Sequence, residues 1–100
     1  MRYSKIIEAD AEKVLVQSVR TLGGLCLKLN FIGTMGAPDR LVLMPGGRFF
    51  FVELKQTTGQ LEASQAILFP RIEKRGFKVH VLYGTEQVQE FVDNILKATP

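Results

Sequence analysis

The sequence predicts an α/β domain, a mixed four-stranded sheet flanked by helices in the order α-β-β-β-α-β-α. Three observations carry that expectation. Apolar residues recur at three- and four-residue steps in the opening segment and again toward the C-terminus, the mark of helices with one buried face. They alternate with a period of two in LCLKLNFI, RFFFVELK and FKVHVLY, the mark of strands. Glycine- and proline-rich stretches punctuate the two kinds of segment.

In order along the chain, Ile7, Ala11, Val14, Leu15, Val19 and Leu22 form one face of a helix from Ser4, its expected N-cap, to about Thr21. Gly23 and Gly24 stop it, and LCLKLNFI follows as a strand. GTMGAPD reads as a loop and RLVLM as a second strand. The PGG at 45–47 is a turn signal, so RLVLM and RFFFVELK should form an antiparallel hairpin. Thr58 is the expected cap of a helix from about Leu61 to Arg75, which Gly76 ends. FKVHVLY is then a strand that the preceding helix can cross over to place parallel to a neighbour. Thr85 is expected to cap a last helix to about Lys97.

With 100 residues, 46% hydrophobic and 23% charged, the chain is expected to form one domain over 1–100 with a modest core. No apolar run, FFFV included, approaches the ~20 residues of a membrane span. Charges in MRYSKIIEADAEK occupy the place of a signal peptide's apolar stretch, so an intracellular, non-secreted protein is expected. One cysteine (Cys26) and one histidine (His80) argue against zinc and Cys-His nucleophile chemistry. The net charge of +3 fits either plain solubility or an attraction to polyanions.

The stretch RFFFVELK is the most informative. Alternation puts Phe49, Phe51, Glu53 and Lys55 on one face and Phe50, Val52 and Leu54 on the other. Both faces begin apolar, which predicts an interior strand covered on both sides. One face then ends in a carboxylate and an ammonium, either an exposed ion pair or part of a site. Asp39, after Pro38, is an ordinary turn residue by itself. A hairpin centred on Gly46-Gly47, however, sets it opposite the region of Glu53, within two residues. Two converging carboxylates need a compensating charge. A divalent cation supplies it, and hard oxygen ligands favour Mg2+ or Mn2+. That combination suits phosphodiester hydrolysis, with Lys55 stabilising developing charge.

GAPDR at 36–40 followed by VELK at 52–55 resembles the PD…(D/E)xK signature of a large nuclease superfamily, and the element order resembles its restriction-endonuclease-like core. More narrowly, the helical Glu8, LGGLCLKL, GAPDRLVLMPGGRFFFVELK, a glutamine on the next helix and RGFKVHVLY are together similar to the virus-type replication-repair nuclease (VRR-NUC) domain. The resemblance covers nearly the whole chain.

It implies a Mg2+- or Mn2+-dependent DNA endonuclease in which Asp39, Glu53, the Leu54 carbonyl and Glu8 serve the metal and Lys55 is the catalytic lysine. Gln65 would orient the attacking water or the lysine. Glu12 lies one turn beyond Glu8 on the same helical face and competes with it for the metal role. Lys28 and Arg40 flank the expected site and are candidates for phosphate contacts, or plain surface charges. Small stand-alone members of the family look like junction-resolving enzymes, which implies branched DNA or Holliday junctions as substrate and a homodimer as the working form. The compact form suggests the cytoplasm of a bacterium or of a phage-infected host. No membrane and no small-molecule cofactor are expected. Phe69, Ile72, Leu82, Tyr83, Val88 and Phe91 are candidates for surplus apolar surface that a second copy would cover. The competing reading is a catalytically silent nuclease fold that binds nucleic acid without cutting.

Overall fold

The structure is a computed structural model that describes the backbone of residues 2–98 and the side chains of residues 10–98. Its elements are α1 (Arg2–Thr21), β1 (Leu25–Lys28), β2 (Arg40–Met44), β3 (Arg48–Lys55), α2 (Ala63–Lys74), β4 (Val79–Tyr83) and α3 (Gly84–Phe91), the last running into a π-helical turn, Val92–Leu96. The strands lie in the order β1-β2-β3-β4. β1 with β2 and β2 with β3 are antiparallel, whereas β3 and β4, joined through α2, are parallel. This is the expected mixed sheet.

Alternation divides the side chains between two unlike faces. One carries Val42, Met44, Val52 and Leu82 and is closed by α1 and α3; Ala11, Leu15, Val19, Val88, Phe91, Val92 and Leu96 complete a single buried cluster there. The other carries Phe49, Phe51 and Glu53 and meets α2, whose Phe69 is buried. Cover on this side is partial: Leu25, Leu27 and Phe49 are 59%, 43% and 46% exposed. The expectation that β3 is covered on both faces therefore fails at its first residues. Phe49 leans instead on Phe51 and Phe77, with ring centroids 5.9 and 6.2 Å away. Phe69, Leu82, Val88 and Phe91 are all buried within the chain, so they are not the surplus apolar surface.

Several boundaries differ from expectation for local reasons. α1 already includes Arg2, which places Ser4 inside the helix. β1 ends at Lys28 because the chain turns away there, tied only by the Leu29 N–H donating to the Asp39 carbonyl at 3.0 Å. α2 starts at Ala63, not Leu61: Glu62 is the N-cap and forms a capping box with Gln65, whose Oε1 accepts the Glu62 N–H at 3.1 Å. α3 begins one residue before Thr85, where Gln87 Oε1 accepts the Tyr83 N–H at 2.9 Å. Gly84 opens that helix at φ +85°, and a Cβ there would stand 2.7 Å from Thr57 Oγ1. Only glycine allows the turn after β3 to pack so closely on the end of β4.

Cationic and aromatic residues with no place in the site take structural roles. Arg48 donates to the Ile95 and Leu96 carbonyls at 3.2 and 3.0 Å, closing the C-terminal turn. His80 packs between Phe50 and Phe91. Burial there holds its imidazole below its ordinary pKa, with Lys78 adding to the effect and Glu73 opposing it. Burial also pushes the Cys26 thiol up, against the opposing pull of Arg40, so it is poorly suited to act as a thiolate.

Candidate active site

The site grows out of the β2–β3 hairpin. Its pairing runs from Met44↔Arg48 outward to Arg40↔Val52, and one further step sets Asp39 beside Glu53. Hydrogen bonds hold them there: the Asp39 N–H donates to Glu53 Oε1 at 3.0 Å, and the Leu54 N–H donates to Asp39 Oδ2 at 3.0 Å. Each carboxylate is thus oriented by the other strand's backbone, independently of any bound group. Pro38, fully buried, anchors the chain just before Asp39.

Glu53 is only 2% exposed while Asp39 faces solvent. Lys55, two residues on along the same face, sets its Nζ 3.2 Å from Glu53 Oε2. Gln65 reaches the same carboxylate from the first turn of α2 with a side-chain hydrogen bond, and is itself 6% exposed. Burial pushes the Glu53 carboxyl above its ordinary pKa; the Gln65 bond lowers it, Asp39 raises it, and Lys55 lowers it. Among these described groups one ammonium faces two carboxylates, an imbalance that a cation would correct.

The donor set is one that a small hard cation accepts. Mg2+ takes one or two carboxylates and leaves its other positions to water and substrate oxygens. Among the described residues no cluster of three or more His, Cys, Asp or Glu side chains stands ready for a metal. Asp39 and Glu53 supply two, and the Leu54 peptide lies against them through its N–H. Glu8 is carried on α1, but its side chain lies outside the described residues. Glu12, one turn on, is engaged elsewhere: its carboxylate accepts from Arg40 Nη2 at 2.7 Å.

That ion pair sets the position of Arg40. Its side chain is 10% exposed, on the face opposite Glu53, and reaches toward the Cys26 carbonyl at 3.5 Å. In this arrangement it ties β2 to α1 rather than offering its guanidinium to a phosphate. Lys28, its partner across β1–β2, is exposed at the edge of the sheet. Gln65 works on Glu53 and on the α2 cap, so its direct partner is a proposed metal ligand.

An open cleft of about 670 Å³ leads to Asp39, walled on one side by Asn30, Phe31, Thr34 and Met35 and on the other by Glu62, Ser64 and Gln65. Of these wall residues, sequence reasoning singled out only Gln65. The trace of the rest was the glycine-rich GTMGAP before Asp39, where Gly36 at φ +99° comes so close to α2 that a Cβ would lie 2.6 Å from the Ser64 carbonyl oxygen.

A mixed sheet that brings a PD…ExK constellation to the open end of its central hairpin defines a nuclease-type α/β domain. No family model matches the chain. A solved structure described as a VRR_NUC domain superposes with a TM-score of 0.81 at 34% identity, over 88% of this chain and 96% of that one. The chain belongs to the VRR-NUC domain family. A curated phage protein named "Putative nuclease p44", from Acyrthosiphon pisum secondary endosymbiont phage 1, is 48% identical over 50 residues. That match takes in 50% of this chain and about half, 54%, of the phage protein. The family places the domain among nucleases, hydrolases of phosphodiester bonds. Among the described residues, no helix is long and apolar enough to cross a membrane.

Proposed function

We propose that residues 1–100 act as a single metal-dependent DNA endonuclease domain that cuts branched DNA as a homodimer. The observation that carries this reading is the hydrogen-bonded pairing of Asp39 with Glu53 beside Lys55 at the mouth of an open cleft. Asp39 and Glu53 would hold Mg2+ or Mn2+, with the Leu54 carbonyl and Glu8 completing the protein's share. Such a cation, when bound, screens the phosphate and lowers the pKa of a water. Lys55 stabilises charge building on the phosphoryl oxygens, from an ammonium already fixed against Glu53. Gln65 keeps the Glu53 carboxylate in orientation, which any ligand it holds would inherit. Lys28, exposed at the sheet edge, is available to a phosphate.

Pairing of two copies is supported by the partly covered sheet face. Leu25, Leu27 and Phe49 lie exposed on it, with Leu41, Leu43 and Phe51 half-buried between them. An apolar patch of this kind on adjacent strands suits a two-fold, self-complementary contact. Two such sites match a junction with two strands to cut.

The reading is tested by offering the protein labelled four-way junction, flap, single-stranded and linear duplex DNA with Mg2+ or Mn2+. Preferred cutting of the junction is expected. Equal cutting of linear duplex overturns the branched-DNA assignment, and DNA that is bound but never cut favours the silent binding module. In sedimentation the mass should be twice 11.2 kDa, and the single-chain mass overturns the dimer.

A further inference from the structure

We infer that Ile32 and Met35 form an apolar wedge at the mouth of the cleft, one that enters the base stack beside the bond to be cut and selects DNA whose stacking is already broken. This inference rests on the nuclease reading above and goes beyond it to the way the substrate is chosen.

Three observations lead to it. Ile32 is 96% exposed and Met35 81%, against 66% for Ile67, the next most exposed large apolar side chain described. They belong to the same loop, which connects β1 to β2, delivers Asp39 to the site and walls the cleft through Phe31, Thr34 and Met35 itself. The cleft that leads to Asp39 thus has Met35 in its wall, and Ile32 stands three residues before Met35 on the same loop. The loop is also held in shape. Its base is closed by Leu29 N–H to the Asp39 carbonyl at 3.0 Å, and its tip turns through Thr34 N–H to the Phe31 carbonyl at 3.3 Å. Its returning limb is pressed on α2 at Gly36 and anchored by buried Pro38.

A tethered loop that presents two bare apolar side chains is built to displace something. Isolated apolar side chains on a surface are ordinary. Two of them, three residues apart on a braced turn beside a polar cleft, match the apolar wedges that proteins insert between base steps. Phosphate contacts position a duplex but do not distinguish an intact stack from an interrupted one. A wedge does distinguish them, because unstacking an intact step costs free energy that a branch point or mismatch has already spent.

The experiment uses the full chain and the double variant Ile32→Ser/Met35→Ser, both sites being exposed enough to leave the fold intact, as circular dichroism would verify. A four-way junction carries 2-aminopurine at the step next to the branch, and binding is followed with Lys55→Ala also present in both proteins so that the DNA stays whole. Native tips should raise the fluorescence several-fold on binding, and serine tips should leave it near the free-DNA level at equal saturation. In cutting assays, mismatching the step beside the cut should rescue the serine variant at least ~10-fold more than it helps the native chain, because the mismatch removes the cost of unstacking. Equal fluorescence from both proteins, or no differential rescue, overturns the wedge. So does a change from dimer to monomer mass in the serine variant, which would assign the tip to the contact between copies. Should the native chain cut no DNA at all, the nuclease reading fails, while the fluorescence comparison still decides the wedge.

Discussion

The two faces of the sheet are made from the same four strands and are put to different uses. Against α1 and α3, every core position from Leu15 to Leu96 is closed, and a charged pair there, Arg40 with Glu12, holds a helix to a strand. Against α2, the same strands leave Leu25, Leu27 and Phe49 exposed and place Glu53, Lys55 and Gln65 beside an open cleft. One side holds the larger buried cluster, and the other holds the candidate site. Substitutions should therefore separate cleanly: damage to the closed face unfolds the chain, whereas damage to the open face silences it while it stays folded.

The largest effect expected is on the open face. Lys55→Ala should lower DNA cutting by ~10²–10⁴-fold in single-turnover assays, as loss of a charge-stabilising group does. Its melting temperature should change far less than that of a core variant. On the closed face Leu15→Ala should do the reverse, costing about 2–5 kcal/mol in urea unfolding because Leu15 is fully buried. A Leu15→Ala chain with native stability would break the division of labour.

Gln65 is the sharper probe, since it belongs to both the cap of α2 and the site. Gln65→Leu should reduce cutting by ~10–100-fold through the loosened Glu53 carboxylate. The lost cap should cost only about 1 kcal/mol of stability. Equal fractional losses in both measurements would deny it a positioning role.

The smallest effect concerns pH and the closed face. His80 is held below its ordinary 6.5 in the fold, so the unfolded chain takes up its proton first as pH falls. The stability of the native chain should decline as pH drops below about 6.5, and a His80→Leu chain should lack that part of the decline. Parallel unfolding titrations at pH 7.5 and 5.5 measure the difference.

The hairpin is legible in the sequence because its turn and its alternation are local. PGG at 45–47 sets Leu43 or Met44 against Arg48 to Phe50 and brings Asp39 within two residues of Glu53; the structure fixes the register at Met44↔Arg48, with Asp39 hydrogen-bonded to Glu53. Other features depend on which surfaces meet. Nothing in the run RLVLM says that Arg40 turns inward to a glutamate 28 residues away. Thr58 is the better cap by residue type, yet Glu62 takes the position because Gln65 answers it from the third helical residue. Phe69 and Phe49 look alike in sequence, and only the partial reach of α2 across the sheet buries one and leaves the other open. The rest of the cleft wall escaped for a related reason, since a loop's usefulness lies in what it faces.

In the proposed reading, Asp39 and Glu53 hold the cation on which cutting depends. The most direct measurement is the rate of cutting of labelled junction DNA as Mg2+ is raised, for the native chain and for Asp39→Asn. Asn keeps an oxygen for the Leu54 N–H and removes the charge, at a position that faces solvent. Saturable, Mg2+-dependent cutting is expected of the native chain, and Asp39→Asn should give a folded protein whose cutting is nearly abolished. Cutting that proceeds without a divalent cation, or that Asp39→Asn retains at the native rate, would contradict that reading.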